Sequence, residues 1–214
     1  MQAESDDPGS RMAGEVSAEA LAAGDPAVVI DLLRARGERV ACAESLTGGG
    51  LCSALVSIAG ASAVVLGGVV AYDSSVKAHL LAVSRDTLNT TGAVSEAVAL
   101  EMARGVTRAL GVDSGGDIGG NTGGNTGGNN GAAASGPAGV WGVSTTGVAG
   151  PDPDPVSGAP AGVVYIAVVA PDGTAWSERL DLVGSRELVR TETVSHALGL
   201  LQRAIESQAG NARE

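Results

Sequence analysis

The chain has 214 residues, a formal net charge of −11 and 44% apolar residues, yet only four aromatics (Trp141, Trp176, Tyr72, Tyr165) and no Phe. That length fits one α/β domain with a sizeable core built from Ala, Val, Leu, Ile and Gly. The acidic balance excludes nucleic-acid and anionic-membrane partners, which require a basic face. Cys42 and Cys52 lie outside any CxxC or His-flanked cluster. They therefore read as free thiols in a reducing cytoplasm, with neither a metal site nor a disulfide framework.

In chain order, residues 1–24 are acidic and rich in small residues, without the basic start and apolar stretch of a signal peptide, and are expected to be a disordered lead-in. The domain is expected over 25–206. Asp25-Pro26, an apolar stripe (Val29, Leu32, Leu33) and Gly37 predict a helix of about three turns. Residues 39–43 read as a short strand, 51–58 as a helix, 64–72 as a buried strand and 80–89 as short and partly helical. The stretch 47–72 carries no charge, but Ser and Gly interrupt it too often for a membrane span. Ser95 can cap a helix whose face runs Ala99, Met102, Ala103, Val106 and Leu110. Residues 113–139 form a Gly/Asn low-complexity insert, read as a surface loop. Strands are expected at 140–145 and 162–170. A third follows the Pro171-Asp172-Gly173 turn, with Trp176, Leu180 and Leu182 on one face. Ser185 starts a last helix carrying Val194, Leu198, Leu201 and Ile205, and 207–214 are expected to be a disordered tail. The pattern is α/β: about five strands, mostly parallel, helices on both faces and one antiparallel strand.

Four segments could carry chemistry. Lys77 is the only lysine beside twelve arginines. An arginine stays protonated, whereas a desolvated lysine gives up its proton. Lys77 is thus a candidate base for a serine hydroxyl, with the Tyr72 phenol relaying or orienting the proton. Ser45, in Glu44-Ser45-Leu46-Thr47-Gly48-Gly49 between a strand end and a helix start, is the exposed hydroxyl; the turn is either an ordinary helix cap or an anion site for a phosphate or oxyanion. Gly147 and Gly150, after a strand, are either a plain turn or a place where backbone amides approach a ligand. Arg186 and Arg190, in the first turns of the last helix, are disfavoured by the helix dipole, so either Glu187 and Glu192 neutralise them or an anionic ligand does. His79 and His196 are isolated, and no GxGxxG, GxSxG or Walker pattern is present.

Together these segments resemble the C-terminal domain of the competence/damage-inducible protein CinA and its stand-alone relatives, the nicotinamide-mononucleotide amidases. The residues that carry the resemblance are Ala43-Glu44-Ser45-x-Thr47-Gly48-Gly49, Gly68-x-x-x-Tyr72-x-x-x-x-Lys77, Gly92-Ala93-Val94-Ser95-Glu96 with Glu101-Met102-Ala103, Gly147-x-Ala149-Gly150-Pro151 and Gly184-x-Arg186-x-x-x-Arg190. The resemblance implies a three-layer α/β/α sandwich with a mixed, mostly parallel sheet. It implies hydrolysis of the carboxamide of nicotinamide mononucleotide to nicotinic acid mononucleotide and ammonia, with no metal or organic cofactor. Ser45 would be the nucleophile, with Tyr72 and Lys77 completing the catalytic set. Substrate would be bound by Thr47, Gly48, Gly49, Ser95, Gly147, Ala149, Gly150, Arg186 and Arg190. The partner would be a small-molecule nucleotide, with no nucleic acid or membrane, and homo-oligomers would be compatible with it. The location would be cytoplasmic, and the nucleotide-hydrolase domain of longer relatives is expected to be absent. Two departures bear on substrate identity: Pro153-Asp154-Pro155 replaces a glycine pair, and Ala159-Pro160-Ala161-Gly162 replaces Lys-Pro-Val-Gly. The family's asparagine two residues after the tyrosine is Ser74 here. Rival readings are a non-catalytic nucleotide-binding module and a Ser/Lys hydrolase of another small amide.

Overall fold

The computed structural model describes residues 23–110 and 139–211. Most of the expected lead-in and all but the last residue of the Gly/Asn insert lie outside those ranges. Gly24, assigned to the lead-in, donates its amide to the Ser195 carbonyl at 3.0 Å and so belongs to the folded unit.

The elements are α1 (Pro26–Arg36), β1 (Arg39–Glu44), α2 (Gly50–Val56), a 3-10 turn (Ala61–Ala63), β2 (Val65–Val70), α3 (Ser74–Leu81), α4 (Arg85–Thr91), α5 (Glu96–Leu110), β3 (Val140–Gly147), β4 (Val163–Val169), β5 (Ala175–Asp181) and α6 (Arg186–Asn211). α1 forms where its caps direct: the Asp25 carboxylate accepts the Ala27 amide at 2.8 Å, and Gly37 closes the helix at φ 64°. The sheet order is β2-β1-β3-β4-β5. β1 runs parallel to both β2 and β3, while β4 is antiparallel to β3 and β5. One strand of five is thus reversed, as the pattern predicts.

Helices cover both faces, giving three layers. α1, α2 and α6 pack Ile30, Leu33, Leu51, Leu201 and Ile205 onto Val40, Cys42, Val143 and Ile166. On the other face, Val98, Met102 and Val106 of α5, with Leu81 and Leu88, lie on Ala41 and Ala43. Burying each large side chain is worth roughly 1.5–3 kcal/mol. Small residues let α5 come close to the sheet: a Cβ on Gly142 would sit 2.1 Å from the Ala103 carbonyl oxygen. Trp141 and Trp176 stack with centroids 6.1 Å apart, and the Trp141 indole N–H donates to Glu38 at 2.7 Å.

Two expectations need correction, and one gap between predicted elements is filled. β2, whose uncharged sequence reads as buried, is a half-exposed edge strand, because among the described residues the sheet order gives it a neighbour on one side only. The stretch after Tyr72, for which no element is predicted, is the helix α3, capped by Asp73, whose carboxylate accepts the Ser75 amide at 2.7 Å. The expected tail from 207 begins as helix, since α6 continues to Asn211.

Candidate active site

The site sits where the parallel strands β1, β2 and β3 end, the crevice in which open α/β sheets bind ligands. The Ala71 amide donates to the Glu44 carbonyl at 2.8 Å, and the Ser45 amide to the Thr145 carbonyl at 3.0 Å. Those two bonds fix the Ser45 turn between the tips of β2 and β3. Lys77, one turn into α3, points back under the turn with 1% of its surface exposed, and Ser45, expected to be exposed, is buried at 7% because the turn is tucked between the strand tips.

Lys77 Nζ lies 2.9 Å from Ser45 Oγ, 2.7 Å from the Ala71 carbonyl oxygen and 3.0 Å from the Tyr72 carbonyl oxygen. A neutral amine has two N–H donors and one lone pair. With both donors on the two carbonyls, the lone pair is left facing the Ser45 hydroxyl. An ammonium would donate to all three oxygens, so the geometry accepts either protonation state. Burial pushes the Lys77 pKa from its ordinary 10.5 down to about 8, while the carboxylates of Asp73 and Asp154 pull it back up.

Glu44, fully buried, accepts the amides of Gly49 (2.9 Å) and Leu51 (3.0 Å) on Oε2 and of Cys52 (2.8 Å) on Oε1. Its carboxylate therefore already occupies the anion position at the start of α2. The Gly48 amide donates to the Ser45 carbonyl at 3.2 Å. The expected use of Gly48 and Gly49 as anion donors is thus corrected, because both amides are spent within the turn. Among the described residues the Leu46 and Thr47 amides have no acceptor. The Thr47 hydroxyl is engaged, 2.8 Å from that of Thr145.

Arg190 also differs from expectation. Its guanidinium donates to the Leu46 and Thr47 carbonyls, both at 2.9 Å, bracing the turn from α6 instead of opening toward a phosphate. Ser95 is a cap: its hydroxyl accepts the Val98 amide at 3.3 Å and lies 3.0 Å from the Thr91 hydroxyl, next to Ala93 and Val94, which line the cleft in its place. Tyr72 touches Lys77 through its main-chain carbonyl. Its phenol, expected as a proton relay, lies 3.2 Å from the Arg186 guanidinium, and the residue is 64% exposed.

Ser45 and Lys77 open onto a cleft of about 520 Å³. Tyr72, Gly147, Ala149, Gly150 and Arg186, all expected at the site, line it with Asp73, Asp152 and Asp154. Arg186 bridges its mouth, donating to the Gly150 carbonyl at 2.7 Å, and the Gly150–Pro151 peptide is cis. The Asp154 carboxylate is held by the Ser157 amide and hydroxyl, both at 2.7 Å. Among the described residues no group of three or more His, Cys, Asp or Glu side chains could hold a metal, and no helix is long and apolar enough to cross a membrane.

The family profile of the CinA C-terminal domain matches residues 25–140 and 130–205. The chain belongs to the CinA C-terminal domain family. A CinA-like protein from Synechococcus sp. (strain RCC307) is 42% identical over 177 residues, spanning 82% of this chain and 36% of that protein. One from Anaeromyxobacter sp. (strain Fw109-5) is 39% identical over 84% of this chain and 37% of its own length. This CinA-type chain therefore spans little more than a third of the curated relatives it matches. Among solved structures, a CinA superfamily protein from Klebsiella pneumoniae 700603 aligns with TM-score 0.69 and 29% identity, covering 85% of this chain and 96% of its own. A competence/damage-inducible protein from Agrobacterium tumefaciens aligns with TM-score 0.64 and 30% identity, covering 84% and 96%.

Within this CinA domain, sequence reasoning placed Ser45 with Lys77 but assigned no role to Glu44, Leu46, Asp73 or Asp154. The signal for Glu44 was its position next to Ser45 in an otherwise uncharged turn. For Asp154 it was the departure from the family's glycine pair.

Proposed function

We propose that the chain is an amidohydrolase that converts nicotinamide mononucleotide to nicotinic acid mononucleotide and ammonia. The observation that supports this reading is the buried contact of 2.9 Å between Lys77 Nζ and Ser45 Oγ at the floor of an open cleft. Ser45 Oγ attacks the carboxamide carbon while the Lys77 lone pair takes the hydroxyl proton. The oxyanion of the tetrahedral intermediate is received by the Leu46 and Thr47 amides, a well-aimed donor being worth roughly 3–4 kcal/mol. Lys77 then returns the proton to the departing nitrogen, ammonia leaves, and water attacks the acyl-enzyme with Lys77 again as base.

The positive pyridinium ring makes the carboxamide carbon more electrophilic and disfavours a protonated Lys77 beside it. Asp73 and Asp154 line the same cleft and complement the ring's charge. Arg186 at the mouth, with the Ala149 and Gly150 amides, receives the phosphate. The test is incubation of the chain with nicotinamide mononucleotide and a panel of other small amides, reading ammonia. Release from the nucleotide, lost in Ser45→Ala, is expected. Binding without ammonia, or ammonia only from other amides, overturns the reading.

A further inference from the structure

Behind the Ser45 turn lies a second reactive pair that amide hydrolysis does not use. Cys42, on β1, is fully buried, and Cys52, on α2, is partly exposed. Cys52 packs against the core cluster that contains Cys42, and both flank Gly68. Gly68 on β2 provides the space: a Cβ there would meet the Cys52 Cβ at 3.1 Å, its Sγ at 3.2 Å and the Cys42 Cβ at 3.4 Å. Cys42 precedes Glu44 by two positions, and Glu44 Oε1 holds the Cys52 amide at 2.8 Å. The thiol pair and the carboxylate brace therefore link the same two elements.

The two thiols differ in chemistry. The neighbouring Cys42 thiol brings Cys52 down from 9.0 to about 7, against the opposing effects of burial and Glu44, so much of it is thiolate at neutral pH. The Cys52 side chain, together with burial, raises Cys42. A thiolate, not a thiol, attacks an oxidant.

We propose that Cys52 and Cys42 form a redox modification site that takes a peroxide as co-reactant. The Cys52 thiolate attacks the peroxide, breaking its O–O bond, so that Cys52 becomes a sulfenic acid and the peroxide leaves as alkoxide or hydroxide. The Cys42 sulfur then attacks the Cys52 sulfur, water departs, and a disulfide joins β1 to α2. Two electrons pass from the thiols to one peroxide. Closing the sulfurs to about 2.05 Å pulls the first turn of α2 toward β1. That displaces the amides which Glu44 holds and the Ser45 turn beside them, and activity falls. This last consequence rests on the amidase reading, whereas the disulfide itself does not.

The test treats the full chain at neutral pH with a few equivalents of hydrogen peroxide. Free thiols are then counted under denaturing conditions, and the intact mass is taken before and after dithiothreitol. Both thiols should disappear, the mass should fall by two hydrogens in a monomer, and dithiothreitol should reverse both changes. In Cys42→Ser the reaction should stop at an oxygen adduct on Cys52 that a sulfenic-acid trap captures. In Cys52→Ser the thiol of Cys42 should survive. Two thiols persisting in the treated wild-type chain, a disulfide only between chains, or loss of Cys42 in Cys52→Ser would overturn the proposal. The amidase readout is separate: a several-fold loss of ammonia release on oxidation, regained with dithiothreitol. Should untreated protein release no ammonia, the amidase reading fails while the thiol count still decides the redox site.

Discussion

Gly105 on α5 passes so close to Leu81 on α3 that a Cβ at Gly105 would stand 2.0 Å from the Leu81 carbonyl oxygen. This crossing fixes where α3 lies, and α3 carries Lys77. Gly105→Ala cannot be accommodated by rotating a side chain, because the obstacle is backbone. Overpacking of this kind costs roughly 1–3 kcal/mol. The variant should unfold at lower urea and release ammonia more slowly, with kcat falling more than KM rises. Unchanged stability would mean that the two helices are free to separate.

Lys77 must be neutral to accept a proton, and burial brings its pKa to about 8. The rate of ammonia release should therefore rise with pH, with a midpoint near 8. Asp154 opposes this shift by favouring the ammonium. Asp154→Asn keeps an acceptor for the Ser157 amide and removes the charge, so its midpoint should move below that of the wild-type chain. A midpoint that moves upward would contradict the electrostatic assignment.

Folding stability carries the same signature. From an ordinary 10.5 in the unfolded chain to about 8 when folded, at about 1.4 kcal/mol per unit, the buried amine costs roughly 3 kcal/mol at neutral pH. Between those two values the unfolded chain holds the proton that the folded chain has lost, so stability rises with pH across that window and is level below it. Compared with Lys77→Met, which has no such proton, the wild-type chain should gain up to that amount between pH 8 and pH 10.5. Parallel stability curves for the two proteins would rule out a depressed Lys77.

Glu44→Gln tests the brace. The carboxylate accepts three amides, and hydrogen bonds to a charged group are each worth roughly 1.5–3 kcal/mol. A glutamine offers one acceptor oxygen and puts an N–H donor against an amide. The variant should lose several degrees in Tm and at least tenfold in kcat, as the turn that presents Ser45 loosens. Activity and Tm both near wild-type would show that the turn holds without it.

The pairing of Ser45 with Lys77 was legible because a lysine alone beside twelve arginines is the one such cation that burial can readily neutralise. Its exact carrier was not: Asp73-Ser74-Ser75 follows a predicted strand without an element of its own, and only the folded Asp73 side chain turns it into a helix start. Arg186 and Arg190 share a motif one turn apart, yet one bridges the cleft mouth and the other braces the turn. That division depends on where β3 and the Ser45 turn end relative to α6, which no local pattern encodes. Glu44 was hidden for a related reason, since a carboxylate bound by three amides has no meaning until the chain folds back over it. The edge position of β2 likewise comes from sheet order, which an uncharged apolar run does not reveal.

The central claim is that Lys77 removes the Ser45 proton, and Lys77→Arg puts it to the most direct measurement. The substitution keeps a cation and removes an amine that can be neutral at working pH. Ammonia release from nicotinamide mononucleotide should fall by about a hundredfold or more in kcat, the scale of general-base catalysis. Nucleotide binding, measured by calorimetry, should persist. Turnover by the arginine variant within a few-fold of the wild-type rate would contradict the account.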